Sequence, residues 1–227
     1  MGARMESTIY KPSIYKGEGI YKTGAGGGGG GGDLPEGYTR ANYARSNGSA
    51  TLLFTDLNVN YNDKFVIEID LQTVQQGSLG FFVKAGSLVL YPDVGTTSDL
   101  SFLPRYSYNG NITSGTNWLN YSSGGLIKIT CNKRYCIIDN DLSNYHKTIN
   151  RNTTAADSII DMLVLFSWTN AGISKPFNGT IYSFKIYDKD NANKLNADFV
   201  PCRDENNVLG FYEKVSGQFK GNANLFE

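Results

Sequence analysis

The sequence predicts an all-β fold, an antiparallel two-sheet jelly-roll sandwich, preceded by an extended N-terminal peptide and a glycine linker. Two observations predict this class. From Thr51 onward apolar residues recur at every second position, and turn signals rich in Gly, Asn and Ser separate these segments. The best helical candidate, Ala155 to Asp161, is long enough for one helical turn only. Many short strands of this kind are typical of a two-layer sandwich.

Residues 1–23 contain one tripeptide three times, at Ile9-Tyr10-Lys11, Ile14-Tyr15-Lys16 and Ile20-Tyr21-Lys22. Ile and Tyr favour extended backbone, and the Pro and Gly residues between the copies oppose a continuous helix. About twenty such residues cannot bury a core of their own. We expect an anchoring peptide that adds strands to a larger partner or inserts Ile and Tyr into its pockets. The alternative is a disordered leader in which the copies arose by chance.

Residues 24–32 form a predicted linker that contains seven consecutive glycines, Gly26 to Gly32. Glycine has no side chain to bury and keeps most backbone freedom when disordered, so this tract behaves as a flexible tether. Nine such residues have a root-mean-square span of roughly 16 Å. The remaining residues, 33–227, are numerous enough to form one independently folded domain.

The charge balance excludes some partners. Lys plus Arg and Asp plus Glu number 21 each, so the chain has no basic field for nucleic acid or an anionic membrane. No apolar run is long enough for a secretory signal in the first thirty residues, or for a membrane span later. We therefore expect no nucleic acid, no membrane insertion and no Sec-type export. Three scattered cysteines agree with synthesis in a reducing cytoplasm.

The strands are predicted from alternation, taken in chain order. One face of each strand is expected to be buried: Phe65, Ile67, Ile69 and Leu71 opposite Val66, Glu68 and Asp70; Ile127, Ile129 and Cys131; Tyr182, Phe184 and Ile186 opposite Ser183 and Lys185. The run Met162 to Trp168 is apolar on both faces and predicts a central strand. Turns are expected at Asn109-Gly110, Asn178-Gly179 and Ser216-Gly217, among others.

Two cysteines flank a predicted hairpin. If Lys133 and Arg134 form a two-residue turn, Cys131 and Cys136 face each other as a non-hydrogen-bonded cross-strand pair. A disulfide could then form after cell lysis. The alternative is a pair of small apolar side chains on neighbouring strands.

The C-terminal third carries the most specific motifs. FNGTIYSFKIYD at 177–188, DFVPCR at 198–203 and GFYEKVSGQF at 210–219 follow one another at short intervals. This order resembles the laminin-G-like, concanavalin-A-like domains of structural proteins of tailed bacteriophages and of phage-derived regions of gut bacteria. With the upstream portion, Tyr38 to Leu71, the resemblance covers about 190 residues of this chain. It implies the sandwich fold and a virion origin, whereas the ligand stays open because this fold hosts many functions.

The aromatic residues of these motifs are interpreted as packing residues, because alternating aromatic and small polar positions bury one face of a strand. They are Tyr182, Phe184, Phe199, Phe211, Tyr212 and Phe219.

Catalytic signals are incomplete. Glu68 and Asp70 lie on one face of a strand, as in laminarinase-type glucanases with a similar sandwich, but Gln72 and Thr73 do not supply the third acid. His146 has no cysteine nucleophile and no metal-ligand spacing near it, so we expect it on a surface loop or strand. We therefore predict that the protein is not an enzyme, has no catalytic residues, and binds neither a cofactor nor a metal ion.

A ligand patch is predicted where aromatic residues alternate with amides. Tyr106, Tyr108, Trp118 and Tyr121 occur with Asn109, Asn111, Asn117 and Asn120, a mixture that suits sugar binding. The alternative is that Trp118 simply fixes a loop to the core.

Together these features lead to a hypothesis of a non-enzymatic phage virion protein, made in the cytoplasm of the bacterial host. It would be a capsid (head) fibre or decoration subunit that binds other virion proteins. We expect it to form a homodimer or homotrimer and to bind a host surface glycan. The alternatives are a capsid cement or tail protein without a receptor, and a glycan hydrolase. A bacterial surface lectin is a further alternative, opposed by the lack of an export signal.

Overall fold

A strand with alternating burial, Lys64–Asp70, lies at the centre of the larger sheet. The computed structural model describes residues 34–60, 62–70, 83–85, 88–94, 101–108, 111–113, 119–120, 126–132, 134–140, 145–150, 159–160, 162–166, 169–170, 173–174 and 177–227. The predicted anchoring peptide (1–23) and glycine linker (24–32) lie outside these residues. The described residues contain no helix, which confirms the all-β class.

Eleven strands of the described residues form the larger sheet, and every pairing in it is antiparallel. Eight of them follow the order β13-β12-β11-β5-β18-β19-β20-β21, with β2 beside β18, β22 beside β2, and β1 beside β19. Their bounds are β1 Thr39–Arg40, β2 Ala44–Asn47, β5 Lys64–Asp70, β11 Leu126–Cys131, β12 Tyr135–Asn140, β13 Tyr145–Asn150, β18 Asn178–Tyr187, β19 Leu195–Arg203, β20 Leu209–Glu213, β21 Gln218–Gly221 and β22 Leu225–Phe226.

Seven described strands form the second sheet, with β9 beside β8 and the others in the order β10-β8-β7-β6-β15-β3. They are β3 Leu52–Phe54, β6 Val83–Ala85, β7 Leu88–Val94, β8 Ser101–Tyr108, β9 Asn111–Thr113, β10 Leu119–Asn120 and β15 Leu163–Leu165. Two short ribbons complete the described strands: β4 Val59–Asn60 with β14 Ile159–Ile160, and β16 Thr169–Asn170 with β17 Ile173–Ser174.

The core lies between the two sheets and is rich in phenylalanine. Phe54 of the second sheet packs edge-on against Phe199 of the larger sheet, with ring centroids 4.8 Å apart, and Phe199 stacks on Phe184 at 5.1 Å. All three side chains are fully buried. This contact across the layers confirms the antiparallel sandwich predicted from the sequence.

Alternation along β5 and β11 is confirmed. Phe65, Ile67 and Ile69 are fully buried, while Glu68 and Asp70 of the same strand are half-buried. The register sets Ile129 of β11 opposite Ile67, so the buried rows continue from strand to strand. Leu71, predicted to extend the row, lies outside the described residues.

A β-bulge in β18 overturns the predicted face of Tyr182. Between Ile181 and Ser183 the register against β5 shifts, so that Ile181 pairs with Ile69 but Ser183 pairs with Glu68. Ile181 and Phe184 are buried, whereas Tyr182 is half-buried between them. The extra residue of a bulge moves a side chain off the strict two-residue period, which alternation in the sequence cannot show. Tyr212 and Phe219 are also half-buried, whereas Phe184, Phe199 and Phe211 are core residues as predicted.

Three further expectations about elements differ from the structure. Asn178-Gly179 begins β18 instead of forming a turn, and glycine is required there because a Cβ would lie 2.5 Å from the Phe177 ring. The expected long strand from Met162 ends at Leu165, since Phe166 has a left-handed φ of 64° that turns the chain. Ile159–Ile160, in the segment where at most one helical turn is expected, forms β14.

The cysteine hairpin has the predicted geometry. The Asn132 amide donates to the Tyr135 carbonyl at 3.0 Å across the two-residue turn, and Cys131 pairs with Cys136. Both thiols are free and buried. Burial and the neighbouring Cys136 raise the pKa of the Cys131 thiol well above its usual value, which disfavours the thiolate needed for oxidation.

Replacing Phe199 by Ala should destabilise the fold by about 3–5 kcal/mol, because a fully buried phenyl ring leaves a cavity between the sheets. The matched control is Phe219→Ala, where a half-buried ring should cost only about 1 kcal/mol. Urea unfolding of the two variants measures the difference. Equal losses would contradict the assignment of Phe199 to the centre of the core.

Candidate functional site

A row of polar side chains crosses the face of the larger sheet that points away from the core. The register of five neighbouring strands sets His146 opposite Asp139, Asp139 opposite Lys128, Lys128 opposite Glu68, and Glu68 opposite Ser183. We call this surface the outer face. Acidic and basic residues alternate along the row, as cross-strand pairing favours.

Two hydrogen bonds order the ends of this row. Ser183 Oγ donates to Glu68 Oε2 at 2.7 Å, and His146 Nδ1 lies 2.5 Å from Asp139 Oδ1. The His146 side chain is 64% exposed, so its pair with Asp139 is a surface contact that contributes little to stability. The predicted position of His146, on a surface loop or strand, is confirmed by its place in β13.

The bulge brings an aromatic pair to the Glu68 end of the row. The Tyr182 ring meets the Tyr43 ring edge-to-face, with centroids 5.5 Å apart and an interplanar angle of 68°. Because Tyr182 and Ser183 are consecutive and both half-buried, this pair adjoins the hydroxyl that binds Glu68. We call Tyr43, Tyr182, Ser183, Glu68 and Lys128 the bulge site.

Glu68 and Asp70 lie on one face of β5, as predicted, and both are half-buried. Ser183 engages one oxygen of Glu68, and Asp70 pairs across the sheet with Thr180 and Leu126. Position 72, the next on this face, lies outside the described residues. The arrangement offers hydrogen-bond acceptors on a rigid sheet.

A second aromatic cluster covers β20 and β21. Tyr38 lies 5.0 Å from Tyr212 and 5.2 Å from Phe219, measured between ring centroids. Burial, followed by the neighbouring Tyr212, raises the pKa of Tyr38, so its phenol is neutral at physiological pH. The sequence motifs predict Tyr212 and Phe219 as core residues, and no sequence signal singles out Tyr38.

The predicted ligand patch is only partly described. Tyr106 and Tyr108 lie on β8, where Tyr108 pairs with Asn111 and Tyr106 with Thr113 of β9. Asn120 pairs with Ser101 at the other end of β8. Five residues along a strand, from position 101 to 106, span roughly 17 Å. The backbone therefore separates the two tyrosines from Asn120, and Trp118, Tyr121, Asn109 and Asn117 lie outside the described residues.

The described residues hold no group of three or more His, Cys, Asp or Glu side chains that could bind a metal ion. Burial raises the pKa of Cys202 to about 11, so this thiol is protonated at neutral pH and is a poor nucleophile. No helix within the described ranges is long and apolar enough to cross a membrane. The nine predicted anchor residues, from Ile9 to Lys22, lie outside the described part of the chain.

Comparison with known proteins gave matches to solved structures. No family model and no curated protein matches the chain. The enzymatically active domain of tailspike protein 2 from bacteriophage CBA120 is 15% identical, with a TM-score of 0.45 over 66% of this chain. This chain spans 26% of that domain. CG-16, a homodimeric agglutinin from chicken liver, is 12% identical, with a TM-score of 0.35 over 60% of this chain and 99% of its own.

The loop between β18 and β19 carries an acid-sensitive carboxylate. Asp188 Oδ2 accepts a hydrogen bond from Lys194 Nζ at 3.0 Å, and Asp188 Oδ1 accepts from the amides of Asp190 and Asn191. The Lys194 ammonium, and then the Asp190 amide, lower the pKa of Asp188 to about 2. Its ionised form is therefore favoured by the folded state.

This carboxylate should contribute stability above pH 3.8, the ordinary pKa of Asp, and lose that contribution as pH falls to about 2. Asp188→Asn should make the stability depend less on pH in this window, and Lys194→Ala should raise the pKa of Asp188. Urea unfolding between pH 2 and 5 measures the first effect, and NMR titration of the Asp188 carboxyl measures the second. A carboxyl that titrates near 3.8 in the wild-type protein would contradict the assignment.

Proposed function

We propose that the chain is a non-enzymatic bacteriophage virion structural protein, a capsid (head) fibre or decoration subunit. In this proposal residues 1–23 dock on the particle, residues 24–32 provide slack, and the sandwich is displayed for adhesion to a host surface glycan. The sandwich motifs at 177–219 resemble domains of phage structural proteins, and this resemblance is the observation on which the proposed virion location rests.

The layout of the sequence supports a displayed module. The three Ile-Tyr-Lys copies and the glycine tract precede a sandwich whose first described strand, β1, begins at Thr39. The buried core residues of the described part of the chain lie between Ala41 and Leu225, so the sandwich has a hydrophobic core of its own. A tether between an adhesive peptide and a domain with its own core is the arrangement expected of a mounted appendage.

A binding role is favoured over catalysis by the chemistry of the described residues. On the outer face Glu68 and Asp70 lie on one strand, and Glu68 Oε2 is already engaged by the Ser183 hydroxyl. The cysteine thiols described above are buried. A polysaccharide hydrolase would need the third acid that the sequence lacks at positions 72 and 73.

Assembly follows from the weakness of single glycan contacts. A displayed module that binds weakly alone gains strength when several copies act together, so we infer a homodimer or homotrimer. A glycine tether would also relieve any mismatch between the symmetry of the appendage and that of the particle. A cement protein would instead lie flat on neighbouring coat subunits, a difference that electron microscopy of intact particles distinguishes.

Deleting residues 1–23 should abolish incorporation into the particle while leaving the sandwich folded, because the repeats make the contact and the core lies beyond them. A full-length variant with Tyr10, Tyr15 and Tyr21 changed to Ser should lose most incorporation, because the repeats would then offer no aromatic side chain to the pockets of the partner. Copies per purified virion, counted by quantitative mass spectrometry, are the measurement. The matched control shortens the glycine tract by three residues, which should change incorporation little. Full incorporation of the deletion variant would contradict the anchor.

Changing Trp118 and Tyr121 to Ala in the full-length chain should abolish glycan or cell binding if the predicted patch is the receptor-facing surface. Lost stacking on aromatic rings is the physical reason. Binding to host cells is measured by flow cytometry with labelled protein, and circular dichroism verifies the fold. Retained binding would reject this patch.

A further inference from the structure

We propose that the bulge site binds a neutral glycan, with the sugar lying across the Tyr43–Tyr182 pair and its hydroxyls bonded to Glu68 and Lys128. This inference rests on the proposed adhesive function and places the contact on the outer face of the larger sheet, whereas Tyr106 and Tyr108 of the predicted patch lie on β8 of the second sheet. The residues that carry it come from four strands or their ends, on a sheet held rigid by the core.

The bulge is the first reason. A regular β18 would place Tyr182 in the buried row of Phe184 and Ile186, and both Ile181 and Ser183 would point outward. The extra residue instead leaves Tyr182 half-buried and next to Ser183. Bulges occur preferentially where a strand re-aims a side chain, and they are frequent beside binding sites. The same bulge lies where β18 changes its partner, from β2 at Ile181 to β19 at Phe184.

The chemistry of the side chains is the second reason. Sugars present apolar C–H faces that pack on aromatic rings and hydroxyls that both donate and accept hydrogen bonds. Tyr43 and Tyr182 offer ring surface, since both are half-buried. Glu68 Oε2 is held by Ser183, and among the described residues Glu68 Oε1 has no hydrogen-bond partner, so it can accept from a hydroxyl. Lys128, opposite Glu68 and exposed, can donate.

Charge selects a neutral ligand. Around the bulge site the carboxylates of Glu68, Asp70 and Asp139 are balanced by the cations Lys128, Lys185 and Arg45. A polyanion such as nucleic acid or a sulfated glycan gains nothing from a balanced face. A neutral hexose-based polymer uses both the acceptors and the donors without desolvating a charge of its own.

The rigidity of the site is the third reason. Glu68 and Ser183 belong to β5 and β18, which pair along six or more positions beside the fully buried Phe65–Phe184 stack. Side chains on such a scaffold lose little freedom when a ligand binds, which favours affinity. A binding patch built from flexible loops would lose more conformational freedom on binding.

The test measures binding of the full-length protein to neutral polysaccharide purified from the host cell surface, by biolayer interferometry. Tyr182→Ala and Glu68→Gln should each weaken binding at least about tenfold, the loss expected when a stacked ring or a charged hydrogen bond is removed. Lys128→Ala, at an exposed position, should weaken binding about threefold to tenfold without affecting folding.

The matched control is Tyr187→Ala, which removes a half-buried tyrosine from the same strand, where the ring lies under Lys64 at 4.5 Å. Its binding should stay within about twofold of wild type, because it lies outside the bulge site. Thermal unfolding confirms that each variant folds; if Tyr182→Ala does not, Glu68→Gln and Lys128→Ala decide.

The outcomes separate the two proposals. Wild-type binding that none of the three variants weakens would overturn the bulge site and leave adhesion standing. Absence of wild-type binding to any host surface polysaccharide would overturn adhesion itself. Shortening of the polymer during incubation, detected by size-exclusion chromatography, would overturn a purely binding role at Glu68.

Discussion

The contact between Phe54 and Phe199, backed by the stacked Phe184, holds the two sheets together, and the rest of the described structure depends on it. Phe199 and Phe184 belong to neighbouring strands, β19 and β18, and Phe54 comes from the opposite layer. Burial of these rings fixes which face of β18 points inward, and so which residues reach the outer face. The same packing therefore places the polar row from His146 to Ser183 on the outer face.

The bulge links this core to the surface. On its two sides Ile181 and Phe184 both stay buried, although an even two-residue period would bury only one of them. The residue left over is Tyr182, which contacts Tyr43 instead of the core. Elsewhere, buried carboxylates hold the connections: Glu213 accepts hydrogen bonds from the amides of Asp198, Val215 and Ser216. Packing of the core thus decides which side chains are presented on the outer face, where the proposed binding site lies.

Much of the fold could be predicted because a strand buried on one face has apolar residues at every second position. Phe65, Ile67 and Ile69 illustrate this, and so does the Cys131–Cys136 pair, whose register follows from a two-residue turn. The errors fall where a local device interrupts the period. At Phe166 a left-handed φ turns the chain, at Gly179 a neighbouring ring requires glycine, and at Tyr182 a bulge shifts the register. None of these has a signature in the residue types alone.

The candidate site shows the same division. From the sequence one could place Glu68 and Asp70 on one face, but not the contacts of Glu68 with residues more than a hundred positions away, such as Ser183. By itself the sequence determined the sandwich class and the inward rows, because these depend on local composition and alternation. Only the tertiary structure decided which strands are neighbours and which side chains share the outer face, because cross-strand register depends on the packing of distant segments.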